Sequence, residues 1–259
     1  MVIGGGVAGL SAAFIAKERG HEVTLYEAGD VLGGNMRLAA YPPGKGDITN
    51  MIRSYIHRCQ KDGVKIVMNC EVTPELIKEE KPDSVIIATG SKTLILPIEG
   101  IDNPAIIHGS DLLDGKRPAG KKVLVVGGGM VGCETAAFLG EQEHDVTVIE
   151  FRDTVGADVI HEHRVYLMKD FEDYGIKEIT GAKVCKFYED GVEYETADGV
   201  RHESRGYDSV ILSMGFRNYN PLEEKIKDLV PETHVIGDAI RARRALDATK
   251  EAYEVASRI

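Results

Sequence analysis

The 259-residue sequence has only four cysteines and no stretch of apolar residues long enough to cross a membrane. Cys59, Cys70, Cys133 and Cys185 include no C-x-x-C pair, which argues against both a disulfide framework and a structural zinc site. A reducing, cytoplasmic compartment is therefore the default expectation. The apolar N-terminus lacks the basic segment of a secretory signal peptide, so we do not interpret it as one.

Basic residues are fewer than acidic ones. The 31 Lys and Arg residues are outnumbered by 42 Asp and Glu, for a net charge of −11. Nucleic acids and anionic membranes need clustered Lys and Arg, and the one dense cluster, Arg241–Arg244, is interpreted as the solvated start of a helix. The composition thus argues against a nucleic-acid or membrane partner. Glycine is abundant, with 29 residues, as expected of an α/β protein with many tight turns.

One passage of the sequence occurs twice, at an offset of 123 residues. VIGGGVAGLSAAFIAKERGHEVTLYE occupies 2–27, and VVGGGMVGCETAAFLGEQEHDVTVIE occupies 125–150. Each copy gives G-x-G-x-x-G after an apolar run, then an amphipathic stretch, then a V-T-x-x-E strand. The closing residue, Glu27 or Glu150, lies 18 positions after the third glycine in both copies. This pattern is the dinucleotide-binding fingerprint.

Each part of the fingerprint has a physical reason. The first glycine permits a tight turn, the second lets a pyrophosphate approach the backbone, and the third lets helix and strand pack closely. The helix N-terminus presents N–H donors and a positive dipole end to phosphate, and the carboxylate can accept hydrogen bonds from a ribose. For one copy alone, a glycine-rich turn without a ligand is a serious alternative. The complete repeat favours two nucleotide sites.

A third segment is repeated as well. DSVIIATG at 83–90 is matched by DSVILSMG at 208–215, an offset of 125 residues. Each segment predicts a strand that delivers a small-residue turn to the carboxyl edge of a sheet, where nucleotides bind. A buried strand and turn without a ligand contact is the alternative.

The motif order predicts an α/β fold of two Rossmann-like dinucleotide-binding domains, the second inserted in the first, with a β-meander. A strand that ends at Gly237 and precedes a long helix would complete the first sheet if the chain returned to it. Asp190-Gly191 and Asp198-Gly199 are the turn signals of the meander. The expected parts are a first domain at 1–92 and 216–259, a connecting region at 93–117, and a second domain at 118–215.

This motif order is similar to that of the two-dinucleotide-binding-domain flavoprotein reductases: an FAD fingerprint, ATG, an NAD(P) fingerprint and a terminal GD. The stretch LGGNMRLAAYPPGKGD at 32–47 more narrowly resembles the C-terminal half of the 2-enoate reductase and 2,4-dienoyl-CoA reductase group of NADH:flavin oxidoreductases. The resemblance covers essentially the whole chain. It implies an electron acceptor in the form of an N-terminal barrel with FMN and an iron–sulfur cluster, or a separate protein. The related trimethylamine dehydrogenase keeps this domain but holds ADP in place of FAD.

Two features depart from that group. The sequence contains neither a barrel nor a cysteine-rich cluster motif. The first strand is also short, because aligning the two copies places Met1 opposite Leu124. We therefore expect the chain to be part of a larger reductase.

The resemblance implies FAD in the first site. The fingerprint would bind the pyrophosphate, Glu27 the adenosine ribose, the backbone of Val72 the adenine, and Asp238 a sugar hydroxyl. Arg37 could contact phosphate, although a solvated loop arginine is equally consistent with the sequence. The implied FAD-contacting residues are Gly4, Gly6, Val7, Ala8, Gly9, Glu27, Gly33, Gly34, Asn35, Arg37, Val72, Ala88, Thr89, Gly90, Gly237 and Asp238.

The second site would bind NADH. A carboxylate at Glu150 accepts hydrogen bonds from the ribose 2′-OH and repels a 2′-phosphate, which makes NADPH the less favoured cofactor. Arg152 opposes this preference, since a nearby arginine can accommodate the phosphate. The implied NAD-contacting residues are Gly127, Gly128, Gly129, Met130, Val131, Gly132, Glu150, Met214 and Gly215.

No catalytic side chain is predicted, because hydride transfer from nicotinamide to flavin needs no acid–base residue. Cys133 is interpreted as a packing residue, and the spacing of His161 and His163 does not favour a metal site. A nucleotide-binding structural module with ADP in the first site is the main alternative. A disulfide reductase of the thioredoxin reductase kind is disfavoured by the missing C-x-x-C. Neither the final substrate nor the oligomeric state is encoded in a recognisable motif.

Overall fold

A computed structural model describes residues 1–259 and divides the chain into two compact units. Unit 1 comprises Met1–Ala40, Gly46–Lys92 and Phe216–Ile259, and unit 2 comprises Tyr41–Lys45 and Thr93–Gly215. Unit 2 is therefore inserted in the chain of unit 1. No helix has the length and apolar character needed to span a membrane.

Two segments group differently from our expectation. Residues 93–117, expected to connect two domains, belong to unit 2 because Ile107 and Leu112 are buried in its core. The segment Tyr41–Lys45, expected in the first domain, also belongs to unit 2. There the ring of Tyr41 packs edge-on against Phe138, with ring centroids 6.5 Å apart.

Unit 1 is built on a sheet of five parallel strands in the order β15-β4-β1-β2-β3. Successive side chains of a strand point to opposite faces, so each strand contributes to two cores. Val2 and Leu25 lie in the core on one face, and Ile3 and Tyr26 in the core on the other. The strands are β1 (Val2–Ile3), β2 (Thr24–Tyr26), β3 (Lys65–Val67), β4 (Ser84–Ile87) and β15 (Glu232–Val235).

Helices cover both faces of this sheet. Ala248, Ala252 and Ala256 recur every fourth residue on the last helix, α8, and this stripe of small buried side chains packs that helix against α1. The α-helices are α1 (Val7–Glu18), α2 (Asp47–Lys61), α3 (Pro74–Glu80), α7 (Glu223–Ile226) and α8 (Ala245–Ala256), and 3₁₀ helices span Gly34–Ala40 and Gly237–Ala239.

Unit 2 repeats this arrangement with a parallel sheet in the order β6-β13-β7-β8-β9. The strand that precedes each glycine turn, β1 or β7, is flanked by equivalent neighbours in the two sheets. The strands are β6 (Ile107–His108), β7 (Lys122–Val126), β8 (Asp145–Ile149), β9 (Lys177–Ile179) and β13 (Ser209–Leu212), and the helices are α4 (Gly109–Leu113), α5 (Met130–Glu141) and α6 (His161–Asp173).

An antiparallel meander belongs to unit 2, as the sequence predicted. It consists of β10 (Lys183–Tyr188), β11 (Gly191–Glu195) and β12 (Arg201–Ser204). Phe187 and Val192 of the meander share a core with Leu124 and Val126, which lie on alternate positions of β7. A separate two-stranded sheet pairs β5 (Ser91–Thr93) with β14 (Phe216–Asn218). The α/β fold of two Rossmann-like units with a meander is thereby confirmed.

Candidate dinucleotide-binding sites

The first glycine turn, Gly4–Gly9, joins β1 to α1. Gly4 has a φ of 106°, and a Cβ on it would lie 2.3 Å from the carbonyl oxygen of Ala88. A Cβ on Gly9 would lie 1.8 Å from the carbonyl oxygen of Gly4. Both positions therefore require glycine, one for the backbone conformation and both for close packing.

The second glycine turn, Gly127–Gly132, has the same geometry between β7 and α5. Gly127 also has a φ of 106°, and its Cβ would lie 2.4 Å from the carbonyl oxygen of Ser213. A Cβ on Gly132 would lie 1.8 Å from the carbonyl oxygen of Gly127. The sequence repeat is thus a repeat of atomic contacts.

The middle glycine of the first turn, Gly6, has space above it. A Cβ on Gly6 would meet nothing nearer than 4.0 Å, and α1 has neither a side-chain cap nor an acidic residue in its first turn. Gly129 begins α5 with nearly the same backbone angles, φ −71° and ψ −177°, that Gly6 has at the start of α1. An uncapped helix N-terminus next to an open middle glycine fits the pyrophosphate of a dinucleotide. The first turn is therefore suited to the pyrophosphate that the sequence predicts there, and the second turn shares its backbone conformation.

The two strand-end glutamates are held in the same way. Glu27 accepts hydrogen bonds from the amides of Gly5 and Gly29, both at 2.7 Å. Glu150 accepts equivalent bonds from the amides of Gly128, at 2.6 Å, and Arg152, at 2.9 Å. Each carboxylate oxygen keeps a second lone pair for another donor, so both glutamates can accept from a ribose hydroxyl beside the glycine turn.

The loop after each glutamate returns to the glycine turn. The amide of Gly33 donates to the carbonyl of Gly5 at 2.8 Å, and the amide of Gly156 donates to that of Gly128 at 2.7 Å. Gly33 and Gly156 are again 123 residues apart, so the repeat extends beyond the passage that defines it. Sequence analysis had ended the second copy at Glu150 and did not identify this loop.

In unit 1, Asn35 and Asp238 meet through a residue that sequence analysis missed. The Asn35 side-chain amide donates to the Ser91 carbonyl and hydroxyl, both at 3.3 Å, and the Ser91 hydroxyl donates to Asp238 at 2.9 Å. Asp238 also accepts from the amide of Arg243 at 3.0 Å. The structure thus brings the second glycine pair and the terminal Gly-Asp turn together, with Ser91 between them.

Gly237 lies against the start of α1, where a Cβ would come within 3.0 Å of the Ala8 side chain. Its amide donates to Glu251 at 2.8 Å. Arg37 lies half-buried in the 3₁₀ helix Gly34–Ala40 with its aliphatic stem beside Gly33. Val72 has its side chain in the core, only 5% exposed, which leaves any adenine contact to its backbone.

The turns after β4 and β13 also correspond. Ala88–Gly90 abuts the first glycine turn and Ser213–Gly215 abuts the second, through the two close carbonyl approaches already described. Gly90 and Gly215 have positive φ angles of 75° and 101° with open space where a Cβ would be. The contacts of these residues with nucleotides remain predictions.

Asp158 is a residue of the second turn that sequence analysis did not identify. Its carboxylate accepts a hydrogen bond of 2.9 Å from the amide of Met130, the first residue of α5. A Cβ on Gly129 would lie 3.4 Å from the same carboxylate. An acidic side chain thus occupies the donor that was predicted to face the NAD pyrophosphate.

Glu134 is a second residue that sequence analysis missed. It lies in α5, is only 5% exposed, and pairs with Lys45. His163 of α6 places its Nε2 3.3 Å from the same carboxylate oxygen. A buried carboxylate needs such partners, so this cluster fixes Tyr41–Lys45 within unit 2. No group of His, Cys, Asp and Glu side chains is arranged to hold a metal ion.

The cysteines do not form a redox pair. All four are free, and Cys59 and Cys133 are fully buried. Burial raises the pKa of the Cys59 thiol to about 11 and that of the Cys133 thiol to about 12. Each thiol donates to a backbone carbonyl, that of Leu10 or that of Gly128. Thiols in these surroundings stay protonated and behave as packing groups.

Residues 1–236 match the family described as pyridine nucleotide-disulphide oxidoreductase. The chain belongs to this family. Cinnamate reductase of Clostridium sporogenes is 33% identical over 262 residues, which cover 100% of this chain and 39% of that protein. NADH oxidase of Thermoanaerobacter brockii is 34% identical over 265 residues, which cover 100% of this chain and 40% of that protein.

A solved structure of 2-naphthoyl-CoA reductase in complex with 2-naphthoyl-CoA superposes with a TM-score of 0.94 and 32% sequence identity, covering 100% of this chain and 39% of that one. The chain thus spans about two fifths of the length of the relatives it matches. The resemblance to the enoate reductase group is confirmed, and the chain is an oxidoreductase domain that uses a flavin and NAD(P). This pyridine nucleotide-disulphide oxidoreductase lacks the paired cysteines that the family's description would suggest.

Proposed function

We propose that this chain transfers reducing equivalents from NADH in unit 2, through FAD in unit 1, to a redox centre outside the chain. The observation that carries the proposal is the doubled turn. Gly4–Gly9 and Gly127–Gly132 have the same φ angles, the same close carbonyl approaches and the same bonds to a strand-end glutamate. A single ligand would not account for two complete copies of this geometry.

In unit 1, the amides of Val7 and Ala8 at the uncapped start of α1 would bind the FAD pyrophosphate. Glu27 would accept from the adenosine ribose, and Asp238, held by Ser91, would accept from the sugar chain next to the pyrophosphate. The bound flavin supplies the chemistry, since it can accept a hydride and release electrons singly. The residues of the chain bind and orient, and none acts as an acid or base.

In unit 2, Glu150 would favour NADH over NADPH. Both of its carboxylate oxygens are tied to backbone amides, so the charge stays at the end of β8. A fixed carboxylate there can accept from a 2′-OH and would repel a 2′-phosphate. Arg152 contacts Glu150 through its backbone amide, and its exposed side chain forms no salt bridge with that carboxylate.

The acceptor would lie in a further domain or a partner protein. The relatives are about two and a half times as long as this chain. One of them is named as a cinnamate reductase. We propose an acceptor domain of the enoate reductase kind, with FMN and an iron–sulfur cluster, which would also select the substrate. The 259 residues alone should therefore not reduce an enoate, and should reduce ferricyanide when FAD and NADH are supplied.

The decisive experiment is an absorbance spectrum of the protein after incubation with FAD and gel filtration. Retained flavin that is bleached anaerobically by NADH, and more slowly by NADPH, would support the proposal. Retention of ADP with no affinity for FAD would instead favour a nucleotide-binding structural module. Reduction of cinnamate by this chain alone, in an assay of NADH oxidation, would contradict an external acceptor.

A further inference from the structure

The two copies stay in register after their glutamates, although most of the side chains there differ. EAGDVLGGNM at 27–36 aligns with EFRDTVGADV at 150–159, at the unchanged offset of 123 residues. Gly33 and Gly156 occupy equivalent places and make the equivalent backbone bond to the glycine turn. Two residues later, the neutral amide of Asn35 corresponds to the carboxylate of Asp158.

We propose that Asp158 lowers the affinity of unit 2 for its dinucleotide by competing with the pyrophosphate for the amide of Met130. This inference rests on the proposed function, in which unit 2 binds NADH and unit 1 binds FAD. Under it, the difference between Asn35 and Asp158, beside two turns of the same backbone geometry, separates a nucleotide that exchanges from one that stays.

The geometry carries the competition. The Asp158 carboxylate accepts from the Met130 amide at 2.9 Å, at the positive end of α5. A pyrophosphate bound in the usual way on this turn would need the same donor. Two anions in contact repel each other, so the carboxylate must leave before the pyrophosphate can take its place.

The surroundings neither neutralise Asp158 nor lock it in place. It forms no salt bridge, and its side chain is exposed, so it can rotate into solvent. Arg164, the nearby cation, donates to the carbonyl of Val155 and the hydroxyl of Thr154 instead. The loop is therefore anchored through Arg164, while the carboxylate itself is held by the Met130 amide.

The equivalent position in unit 1 has no such competitor. Asn35 donates to Ser91, and α1 begins without a side-chain cap or an acidic residue in its first turn. The donors of that helix are therefore available to a phosphate. This difference suits the two nucleotides, because NADH must leave as NAD⁺ after each transfer whereas FAD must be retained. A weaker pyrophosphate contact acts mainly by raising the rate of dissociation.

The test is calorimetric titration of the FAD-loaded protein with ADP-ribose, which contains the pyrophosphate but no reactive nicotinamide. Asp158→Asn copies the first repeat and keeps an oxygen that can accept from Met130. We expect it to lower the Kd by about tenfold, with Asp158→Ala changing it in the same direction. Glu162→Gln removes the same charge from the exposed first turn of α6, and should leave the Kd within about twofold.

The reciprocal change, Asn35→Asp, should weaken FAD retention by about tenfold, measured as flavin lost on dialysis. A thermal melt of each variant without ligand checks that the fold is kept. ADP-ribose binding that is equal in wild type and Asp158→Asn, or equally tightened by Glu162→Gln, would overturn the role of Asp158 alone. Failure of the wild type to bind ADP-ribose at all would overturn the proposed function and this inference together.

Discussion

The two glycine turns are alike in backbone geometry and differ in the side chains next to them. Gly4 and Gly127 share a φ of 106°, and the third glycine of each turn comes equally close to the first. Asn35 and Asp158, at the same place in the two repeats, differ in charge. Close backbone contacts thus require glycine at the same places in both turns, whereas the charge next to the turn differs between the two copies.

A second difference concerns one buried position of α1 and its counterpart in α5. Position 11 of α1 is a buried serine, whereas its counterpart in α5 is Glu134, paired with Lys45 and close to His163. A buried carboxylate is costly without partners, and here the partner is supplied by Tyr41–Lys45, a segment distant in sequence. The repeated fold therefore tolerates an ionic cluster in one copy and none in the other.

The largest expected effect is on folding stability, and it distinguishes Gly9, which is needed for packing, from Gly6, which is proposed to leave room for a ligand. Gly9→Ala would place a Cβ 1.8 Å from a carbonyl oxygen, whereas Gly6→Ala would place one in open space. Gly9→Ala should therefore cost about 3 kcal/mol of folding free energy, measured by urea unfolding without ligand. Gly6→Ala should keep the stability of the wild type and lose FAD retention, because its methyl group fills the space for the pyrophosphate.

The equivalent change of the middle glycine in unit 2 tests whether the NADH site can be lost without losing FAD. Gly129→Ala should keep the fold and the flavin spectrum but abolish bleaching by NADH, because its methyl group, beside Asp158, would fill the space proposed for the pyrophosphate. If Gly6→Ala impaired NADH binding and left FAD in place, the assignment of the two cofactors to the two units would be reversed.

Glu150→Arg should reverse the cofactor preference, with a smaller effect than the glycine changes. The substitution replaces an acceptor for a ribose diol by a donor for a 2′-phosphate, and removes the bonds to the amides of Gly128 and Arg152. We expect the ratio of kcat/KM for NADH to that for NADPH to fall by about tenfold or more. Arg152→Ala is the control, and should retain the NADH preference. An unchanged ratio in Glu150→Arg would mean that this side chain does not contact the ribose.

One buried thiol in each unit should make a smaller contribution to the pH dependence of folding stability. Burial raises the pKa of Cys59 to about 11 and of Cys133 to about 12, whereas an unfolded thiol titrates near pH 8.5. Above that pH the unfolded chain releases protons that the folded chain keeps, so stability falls as pH rises. Each thiol should contribute a loss of about 1.5 kcal/mol between about pH 8 and pH 10.

Urea unfolding at several pH values, compared between wild type and the single variants Cys59→Ala and Cys133→Ala, isolates each contribution. Each variant should lose less stability than wild type as the pH is raised. Parallel pH profiles for all three proteins would show that these thiols ionise equally in the folded and unfolded states.

Sequence alone predicted the parts of the fold that depend on local sterics. The glycine spacing specifies both turns, and the Asp-Gly pairs specify the meander, because few residues can adopt those backbone conformations. It missed what depends on distant contacts. Nothing near Lys45 indicates that it pairs with Glu134, and nothing near Ser91 indicates that it joins Asn35 to Asp238. Asp158 could have been found by extending the alignment of the two copies by eight residues.

The smallest expected effect is that of removing all four thiols. A disulfide mechanism needs two nearby thiols, at least one of them accessible as a thiolate, and the buried pair here has raised pKa values. The variant with Cys59 and Cys133 replaced by Ala, and Cys70 and Cys185 by Ser, should therefore reduce its flavin with NADH at a rate within about threefold of wild type. Stopped-flow bleaching measures this step directly. The Tm of the variant without cofactors shows whether any slower rate comes from a loss of stability. A much slower rate in a variant of unchanged stability would mean that a thiol takes part in electron transfer. It would then support the disulfide chemistry that the geometry of both units argues against.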